Sequence, residues 1–163
     1  MLSNGLKKIF ISSGRPDNVI VLRESSSIEM MSFITREQTD IIKTIPEIAL
    51  GDDGKRMVDG EPVVMINHIR REDGLPANVM IRGVGVKSAD IHKGFKLVEG
   101  RMFEAGETEI AAGVKAAKQL KGCGLGETIN FSNTDWTVVG LFEANESSFE
   151  SEIWGDVEQF LPA

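Results

Sequence analysis

Residues Leu97 to Leu161 read LVEGRMFEAGETEIAAGVKAAKQLKGCGLGETINFSNTDWTVVGLFEANESSFESEIWGDVEQFL. The first part, Leu97–Phe103, is predicted to be extended and to bend at Gly100, because glycine tolerates backbone angles that other residues avoid. A short strand is predicted over Thr108–Ala112, where apolar residues follow a polar start. The opening of this stretch therefore indicates short strands that change direction at glycines.

The middle of the stretch predicts a helix followed by a hairpin. Apolar residues at a spacing of three within Val114–Leu120 favour a two-turn helix, which Gly122 ends. Thr128–Phe131 and Trp136–Glu143 are predicted strands, and the polar residues Ser132–Asp135 between them are typical of a hairpin turn. The tail is predicted to end in a short segment, Ile153–Phe160, that is first extended and then helical.

The first half of the chain predicts a strand–helix–strand unit. Asn18–Arg23 is rich in β-branched residues and is predicted to be a central strand. Thr35 and Gln38 have the spacing of a capping box at a helix start, and Pro46 is expected to stop the helix. Pro62–Asn67 is the second predicted buried strand, and an intervening helix favours a parallel crossover.

Three further segments complete the prediction. Leu6–Ile11 is weakly amphipathic, and the following Ser13–Asn18 is predicted to turn because it contains Gly, Pro and Asn. Arg70–Pro76 is predicted to be a hairpin loop with glycine at its tip. Asn78–Val84 would then be a third strand, antiparallel to the second.

The composition indicates one domain and excludes some partners. The chain has 163 residues and a net charge of −7, which argues against nucleic acid and against an anionic membrane surface. No apolar run reaches the roughly 18 residues that a membrane span needs, and Leu6–Ile11 is too short for a signal peptide. If the chain belongs to a membrane protein, it is therefore expected to be an excised fragment from which the membrane spans were left out.

No arrangement of residues indicates a catalytic, cofactor or metal site. Gly83–Ser88 lacks the glycine before lysine that a phosphate loop needs. His68 and His92 lie on separate segments, and no Cys, Asp or Glu is placed near them at zinc-finger or zinc-protease spacing. The single cysteine, Cys123, excludes an intramolecular disulfide and is interpreted as a small residue in a turn. Asp52–Gly54 lacks the later ligands of a calcium loop and is interpreted as a turn.

The tail is rich in carboxylates and aromatic residues. Its acids are interpreted as a solvated acidic face, because no pair has the opposed environments that acid–base chemistry requires; they are Glu143, Glu146, Glu150, Glu152, Asp156 and Glu158. The apolar residues among them either anchor the tail on the domain's own core or contact another protein. The candidate protein-contact residues are Phe149, Glu152, Ile153, Trp154 and Phe160.

Eight segments, in order, resemble the MacB-like periplasmic core domain of FtsX-type ABC transporter permeases. Single motifs among them are weak, but their order covers nearly the whole chain from Pro16. The glycines within them lie where short strands would change direction. The segments are Pro16–Arg23, Met31–Ser32 with the helix after it, Met80–Val84, Leu97–Phe103, Glu109–Gly113, Leu125–Ile129, Trp136–Gly140 and Phe149–Asp156.

The resemblance implies an α+β fold with a mixed sheet, a strand–helix–strand unit and a smaller β-rich lobe. It implies one extracytoplasmic core domain over residues 1–163, divisible into lobes 1–84 and 85–163. The domain would lie between the first two membrane helices of a permease in the bacterial inner membrane, with both ends facing the membrane. It would be non-enzymatic and would transmit ATP-driven conformational change for export, lipoprotein or substrate handling, or signalling.

The implied partners are a cytoplasmic ABC ATPase, reached through the full-length permease, and a second copy of the permease or a related one. A periplasmic adaptor or substrate protein is a further implied partner, although the chain lacks the large inserted lobe that meets the adaptor in bigger family members. No cofactor is implied. The alternatives are a free-standing periplasmic ligand- or protein-binding domain, and a hydrolase that uses the acidic tail.

Overall fold

A mixed β-sheet organises the structure, a computed structural model that describes residues 18–85, 87–92 and 94–160. The predicted stretch Leu6–Ile11 and most of the predicted turn over Ser13–Asn18 lie outside these residues. The strands are β1 (Val63–Ile69), β2 (Pro76–Val84), β3 (Phe95–Gly100), β4 (Glu109–Gly113), β5 (Thr128–Phe131), β6 (Thr134–Ala144) and β7 (Glu152–Asp156). The helices are α1 (Arg36–Ile42), α2 (Ser88–Ile91), α3 (Val114–Gln119) and α4 (Val157–Phe160), with 3₁₀ turns at Glu29–Met31 and Ser148–Ser151.

Within the described residues, the seven strands form one sheet in the order β1-β2-β7-β4-β6-β3, and β5 pairs with the beginning of β6. Neighbours β2 and β7 are parallel, as are β4 and β6, while the other pairs are antiparallel. The predicted α+β class with a mixed sheet is therefore confirmed. One sheet takes strands from both sides of residue 84, and the division into lobes stays a prediction.

The strand–helix–strand arrangement is present, but in a different part of the chain. The parallel strands β4 and β6 are connected through α3 and β5. The predicted strand Asn18–Arg23 is wrong, since these residues have no regular secondary structure and are mostly exposed. Strand propensity requires a pairing partner, and the hydrogen bonds of this segment go elsewhere: Asn18 Nδ2 donates to Ile91 O, Arg23 N to Ser32 Oγ and Ser26 N to Arg23 O. The predicted parallel crossover between this segment and β1 is therefore also wrong.

The predicted helix start is confirmed by its hydrogen bonds. The backbone N–H of Gln38 donates to the Thr35 side chain, and the backbone N–H of Thr35 donates to the Gln38 side chain, which completes the capping box. The helix ends at Ile42, earlier than Pro46 would require, because the backbone N–H groups of the next residues make shorter i→i−3 turns. Local sequence therefore determines the start of α1 better than its end.

The hairpins are confirmed. Strands β1 and β2 pair antiparallel around the predicted turn at residues 70–76. Strands β5 and β6 join through Ser132 and Asn133, both at positive φ (53° and 58°), as a two-residue hairpin turn requires. Strand β3 ends at Gly100, which has a φ of 72° and provides the predicted bend.

Both faces of the sheet are packed. Residues alternate between faces along a strand, so Ile110 and Ala112 of β4 join one cluster while Ala111 joins the other. The larger cluster lies under α3 and the β5–β6 hairpin, and the smaller one gathers Trp154 and Phe142. Strands β4 and β7 are almost entirely buried because they lie in the middle of the sheet.

Strand β1, in contrast, was predicted to be buried and is an edge strand. Most of its residues are partly or largely exposed, including Val64 and Met65. Only β2 pairs along its full length, so one side of its backbone lacks a neighbouring strand in the described sheet. No helix among the described residues is long and apolar enough to cross a membrane.

Candidate functional site

The candidate contact residues of the tail separate onto the two faces of the sheet. Glu152 and Trp154, alternate residues of β7, lie on the face of the smaller cluster, where Phe149 also packs. Ile153 lies on the opposite face, where Phe160 packs against the larger cluster. Ile153 and Trp154 are fully buried and Glu152 is nearly so, whereas Phe149 and Phe160 are partly exposed. Their role in a protein contact stays a prediction.

A buried arginine organises the face that holds Trp154. Arg82 on β2 is only 3% exposed. Its Nε donates to Glu152 Oε2 at 2.8 Å and its Nη2 to Glu152 Oε1 at 3.2 Å. Nη1 donates to Glu61 Oε2 at 3.1 Å, and Nη2 also donates to Glu29 Oε2 at 3.0 Å. One guanidinium therefore joins carboxylates from three separate segments of the chain.

Aromatic rings close around this arginine cluster, defined as Arg82, Glu29, Glu61, Glu152 and His92. The indole Nε1 of Trp154 donates to Glu152 Oε2 at 3.0 Å. The Phe149 ring lies 5.2 Å from the Arg82 guanidinium carbon, a cation–π geometry. The His92 ring packs against both aromatics, 4.5 Å from the Phe149 centroid and 5.0 Å from that of Trp154. The rings exclude water from the charges and so strengthen their attraction.

The charges of the cluster shift two pKa values. Burial acts to lower the pKa of Arg82, but the hydrogen bond and charge of Glu152, with the charges of Glu29 and Glu61, raise it above its usual value. Burial acts to raise the pKa of Glu61, yet hydrogen bonds and charge from His92 and Arg82 hold it below its usual value. An ionised Glu61 can only accept, so His92 Nε2, 2.9 Å from both carboxylate oxygens, donates to it.

From the sequence, Arg82 was included only within the segment Met80–Val84 of the family resemblance, and Glu29 and Glu61 were not identified as its partners. One signal was available, because Arg82 interrupts the otherwise apolar run Val79–Val84 of a predicted strand. A charge in such a run must be paired when the strand is buried. The identity of the partners depends on the tertiary structure.

The interpretation of the tail acids as a solvated face is wrong for three of them. Glu150, Glu152 and Asp156 are buried, at 5%, 5% and 8% exposure. Asp156 accepts backbone N–H groups from Gly106 and Glu158. These carboxylates therefore satisfy donors inside the domain, and the remaining three tail acids are exposed.

Glu150 accepts hydrogen bonds within the turn between β6 and β7 and forms an ion pair with α3. Its Oε1 accepts from the backbone N–H groups of Ala144 and Glu146 at 3.0 and 2.7 Å, and Lys115 Nζ lies 3.0 Å from Oε2. Burial acts to raise the pKa of Glu150, but the N–H of Ala144 and the Lys115 ammonium hold it below its usual value. The ionised carboxylate therefore stabilises this turn.

The residues that could have formed a nucleophilic or phosphate-binding site make structural contacts instead. The Cys123 thiol is buried, and burial together with the charge of Glu127 raises its pKa to about 12. After β2, the N–H of Lys87 and the hydroxyl of Ser88 both donate to Asp59 Oδ2, so the chain's own carboxylate takes the place that a phosphate would have in a phosphate loop. Within residues 18–85, 87–92 and 94–160, no group of three or more His, Cys, Asp or Glu side chains is arranged so that it could hold a metal ion.

The segment before β1 exposes apolar side chains. Val19 is 83% exposed and Phe33 76%. The other large apolar residues exposed there are Ile20, Val21, Ile28, Met31, Ile41, Ile45 and Leu50. Exposed apolar surface of this extent marks interaction sites in many proteins.

Three polar contacts attach residues 18–42 of this segment to the sheet domain, and Asp53, Asp59 and Glu61 make further contacts later in the segment. One is the pair between Glu29 and Arg82. A second is the bidentate pair of Arg36 on α1 with Glu158 on α4, at 3.2 and 2.8 Å. The third is the hydrogen bond from Asn18 to the carbonyl of Ile91.

Comparison with known proteins identifies a family. The family model of MacB-like periplasmic core domains matches residues 1–162. No curated protein matches the chain. Among solved structures, the extracellular domain of the ABC-type transporter YknZ from Gram-positive bacteria is similar, with a TM-score of 0.56 and 17% identity over 77% of this chain and 64% of that one. The periplasmic region of MacB from Actinobacillus actinomycetemcomitans gives a TM-score of 0.49 and 15% identity over 76% and 55%.

Replacing Arg82 by methionine is expected to lower the free energy of unfolding by about 3–5 kcal/mol, because Glu152 would remain buried without its partner. Denaturant unfolding followed by circular dichroism measures the change. The matched control is Arg36→Met, which removes an exposed bidentate pair and should cost no more than about 1 kcal/mol. Adding Glu152→Gln to Arg82→Met should recover a large part of the loss. Equal effects of the two arginine substitutions would contradict the importance of the buried cluster.

Replacing Glu150 by glutamine is expected to lower the unfolding free energy at pH 7 by about 1 kcal/mol, because a charged acceptor is exchanged for a neutral one. The folded-state pKa of Glu150 lies below its unfolded value, so its contribution is complete above the unfolded value and is lost as the pH falls through the folded one. The difference between wild type and variant should therefore shrink below about pH 4.5. The control Glu143→Gln, at an exposed position of β6, should change the unfolding free energy at pH 7 by no more than about 0.5 kcal/mol.

Proposed function

We propose, since this chain belongs to the family of MacB-like periplasmic core domains, that it is the extracytoplasmic part of an ABC transporter permease in the bacterial inner membrane. It would be non-enzymatic and would transmit conformational change driven by ATP binding and hydrolysis on the cytoplasmic side. The match of the family over residues 1–162 is the observation that carries this proposal. The chain spans 64% of the YknZ domain it resembles.

The proposed partners follow from the same family. A cytoplasmic ABC ATPase would act through the full-length permease, which would pair with a second copy or a related permease. A periplasmic adaptor or substrate protein would meet the extracytoplasmic domain. The exposed apolar residues before β1 support a protein contact there. In the tail, the partly exposed rings of Phe149 and Phe160 are the side chains that would contact a partner.

The arginine cluster supplies a route for the transmission. The segment before α1 would connect to the first membrane helix, and α4 would lead back to the second. The Arg36–Glu158 pair links these two routes at the surface, and the Glu29–Arg82 pair links the first route to the centre of the sheet. A displacement of the membrane helices would therefore reach β2 and β7 through these two ion pairs.

The three carboxylates of the cluster differ in burial, and this difference allows residues 18–42, which carry Glu29, to move. The Glu29 side chain is 37% exposed, whereas those of Glu61 and Glu152 are 13% and 7% exposed. When Glu29 leaves, Arg82 keeps two carboxylates and Glu29 regains water, so no charge is left buried and unpaired. The segment can thus detach while the sheet stays folded, and a two-state element of this kind can transmit a signal.

The location is tested by cell fractionation. An antibody against this domain should detect, in the membrane fraction of the source cells, a band of roughly twice the domain's mass or more. Protease added to spheroplasts should remove that band, because the domain would face outward. A soluble band near the domain's own mass would contradict the proposal and favour a free-standing binding protein.

Transmission is tested by spin labels in the full-length permease with its ATPase. Labels at Glu37→Cys on α1 and Lys118→Cys on α3 report the distance between α1, in the segment before β1, and the sheet. This distance should change between the nucleotide-free state and the vanadate-trapped state, in which ADP and vanadate occupy the ATPase sites. Cys123 is buried and has a raised pKa, so it should remain unlabelled.

The matched control pairs Lys118→Cys with Glu143→Cys on β6. Both sites lie on the sheet part of the domain, and their distance should stay constant in the two nucleotide states. If the α1–α3 distance also stays constant, the segment does not move with the ATPase and the transmission route proposed here is wrong.

A further inference from the structure

A basic cleft lies between the loop after α1 and the start of α2, on the surface of this acidic protein. It is an open cleft of about 600 Å³, and four cationic side chains line it: Lys43, Lys55, Arg56 and Lys87. The one carboxylate in its lining is Asp59, which already accepts the N–H of Lys87 and the hydroxyl of Ser88. Like charges gathered in this way repel one another unless an anion joins them.

The Arg56 guanidinium is held in position with one edge unused. Its Nη1 donates to the carbonyls of Pro46 and Ile48 at 2.9 and 2.5 Å. Within the described residues, no partner binds its Nε or Nη2. A fixed guanidinium with a free edge matches an oxyanion that accepts two parallel hydrogen bonds.

The neighbouring lysines differ in their partners. Lys87 pairs with Asp53 at 2.7 Å and Lys43 with Asp40 at 3.0 Å. The Lys55 side chain lines the cleft without a hydrogen bond or ion pair of its own among the described residues, although its charge acts on Asp53. Arg56 and Lys55 are thus the two cations available to a ligand, and the two paired lysines add to the positive potential around it.

The rest of the lining is apolar and partly exposed. Leu50 is 58% exposed, and Val58 also lines the cleft. The loop is shaped by a bridge between Leu50 and Arg56 and by a turn at Gly54, which has a φ of 71°. The apolar wall beside two available cations fits the linker of a phosphate ester better than a bare, fully hydrated ion.

We propose that this cleft binds a phosphate group, with Arg56 as the bidentate ligand and Lys55 as the second cation. The phosphate could belong to a soluble phosphate ester or to the headgroup of an anionic lipid, since both present the same oxyanion to the guanidinium. The site is separate from the arginine cluster, and its occupancy does not require the domain to belong to a permease.

The test titrates the ¹⁵N-labelled chain with inorganic phosphate and with glycerol 3-phosphate while the arginine Nε–H signals are followed by NMR. The Arg56 Nε–H signal should shift and saturate. Arg56→Lys keeps the charge but removes the guanidinium edge that donates two parallel hydrogen bonds. It should therefore weaken binding on the order of tenfold or more. Lys55→Gln should also weaken it. The control Lys118→Gln/Lys121→Gln removes two exposed cations elsewhere and should bind as the wild type does.

A second arm distinguishes the two sources of the phosphate. The chain is sedimented with phosphatidylcholine vesicles that contain or lack phosphatidic acid. Binding only to the vesicles with phosphatidic acid, reduced by Arg56→Lys but not by the control, would support the site with a lipid headgroup as the source. Saturable binding of glycerol 3-phosphate without vesicle binding would support a soluble ester. No Arg56 shift with either phosphate and no vesicle binding, or equal binding by wild type and Arg56→Lys, would overturn the proposal.

Discussion

The buried guanidinium of Arg82 is the constraint on which the arrangement of the sheet's aromatic face depends. Arginine does not lose its proton in proteins, so its burial requires carboxylate partners. They come from the segment before α1, from the residue two positions before β1 and from the first residue of β7. Matching this one charge therefore fixes how three distant parts of the chain meet β2.

The domain combines a rigid part with a loosely attached one. Strands β4 and β7 are packed on both faces, and Trp154 and Phe142 fill the smaller cluster. Residues 18–42, the first part of the segment before β1, are joined to that core by three polar contacts and leave large apolar side chains in water. Local stability follows the density of buried contacts, so the segment can open at a lower free energy than the sheet.

Features that depend on neighbouring residues were predictable from the sequence, and those that depend on distant partners were not. The capping box at Thr35 and the turn at Ser132 and Asn133 follow from local hydrogen bonding and backbone preference. Asn18–Arg23 has the composition of a strand, but pairing decides whether a strand forms. Likewise, Glu152 has the sequence of a surface acid and becomes a core residue because Arg82, 70 positions away, lies opposite its strand. The family resemblance was recognised from the order of motifs, which survives when single strands are assigned wrongly.

The arginine cluster and the basic cleft are connected through a single short segment. Asp59 accepts from Lys87 and Ser88, while Glu61, two residues later, pairs with Arg82 and His92. Ser88 also interacts with Glu61 and helps to lower the pKa of that carboxylate. Because the same segment holds carboxylates of both sites, a shift of residues 59–61 alters the lining of the cleft and the pairing of Arg82 together. Residues 59–61 therefore link the surface loop at Arg56 to the buried guanidinium at the centre of the sheet.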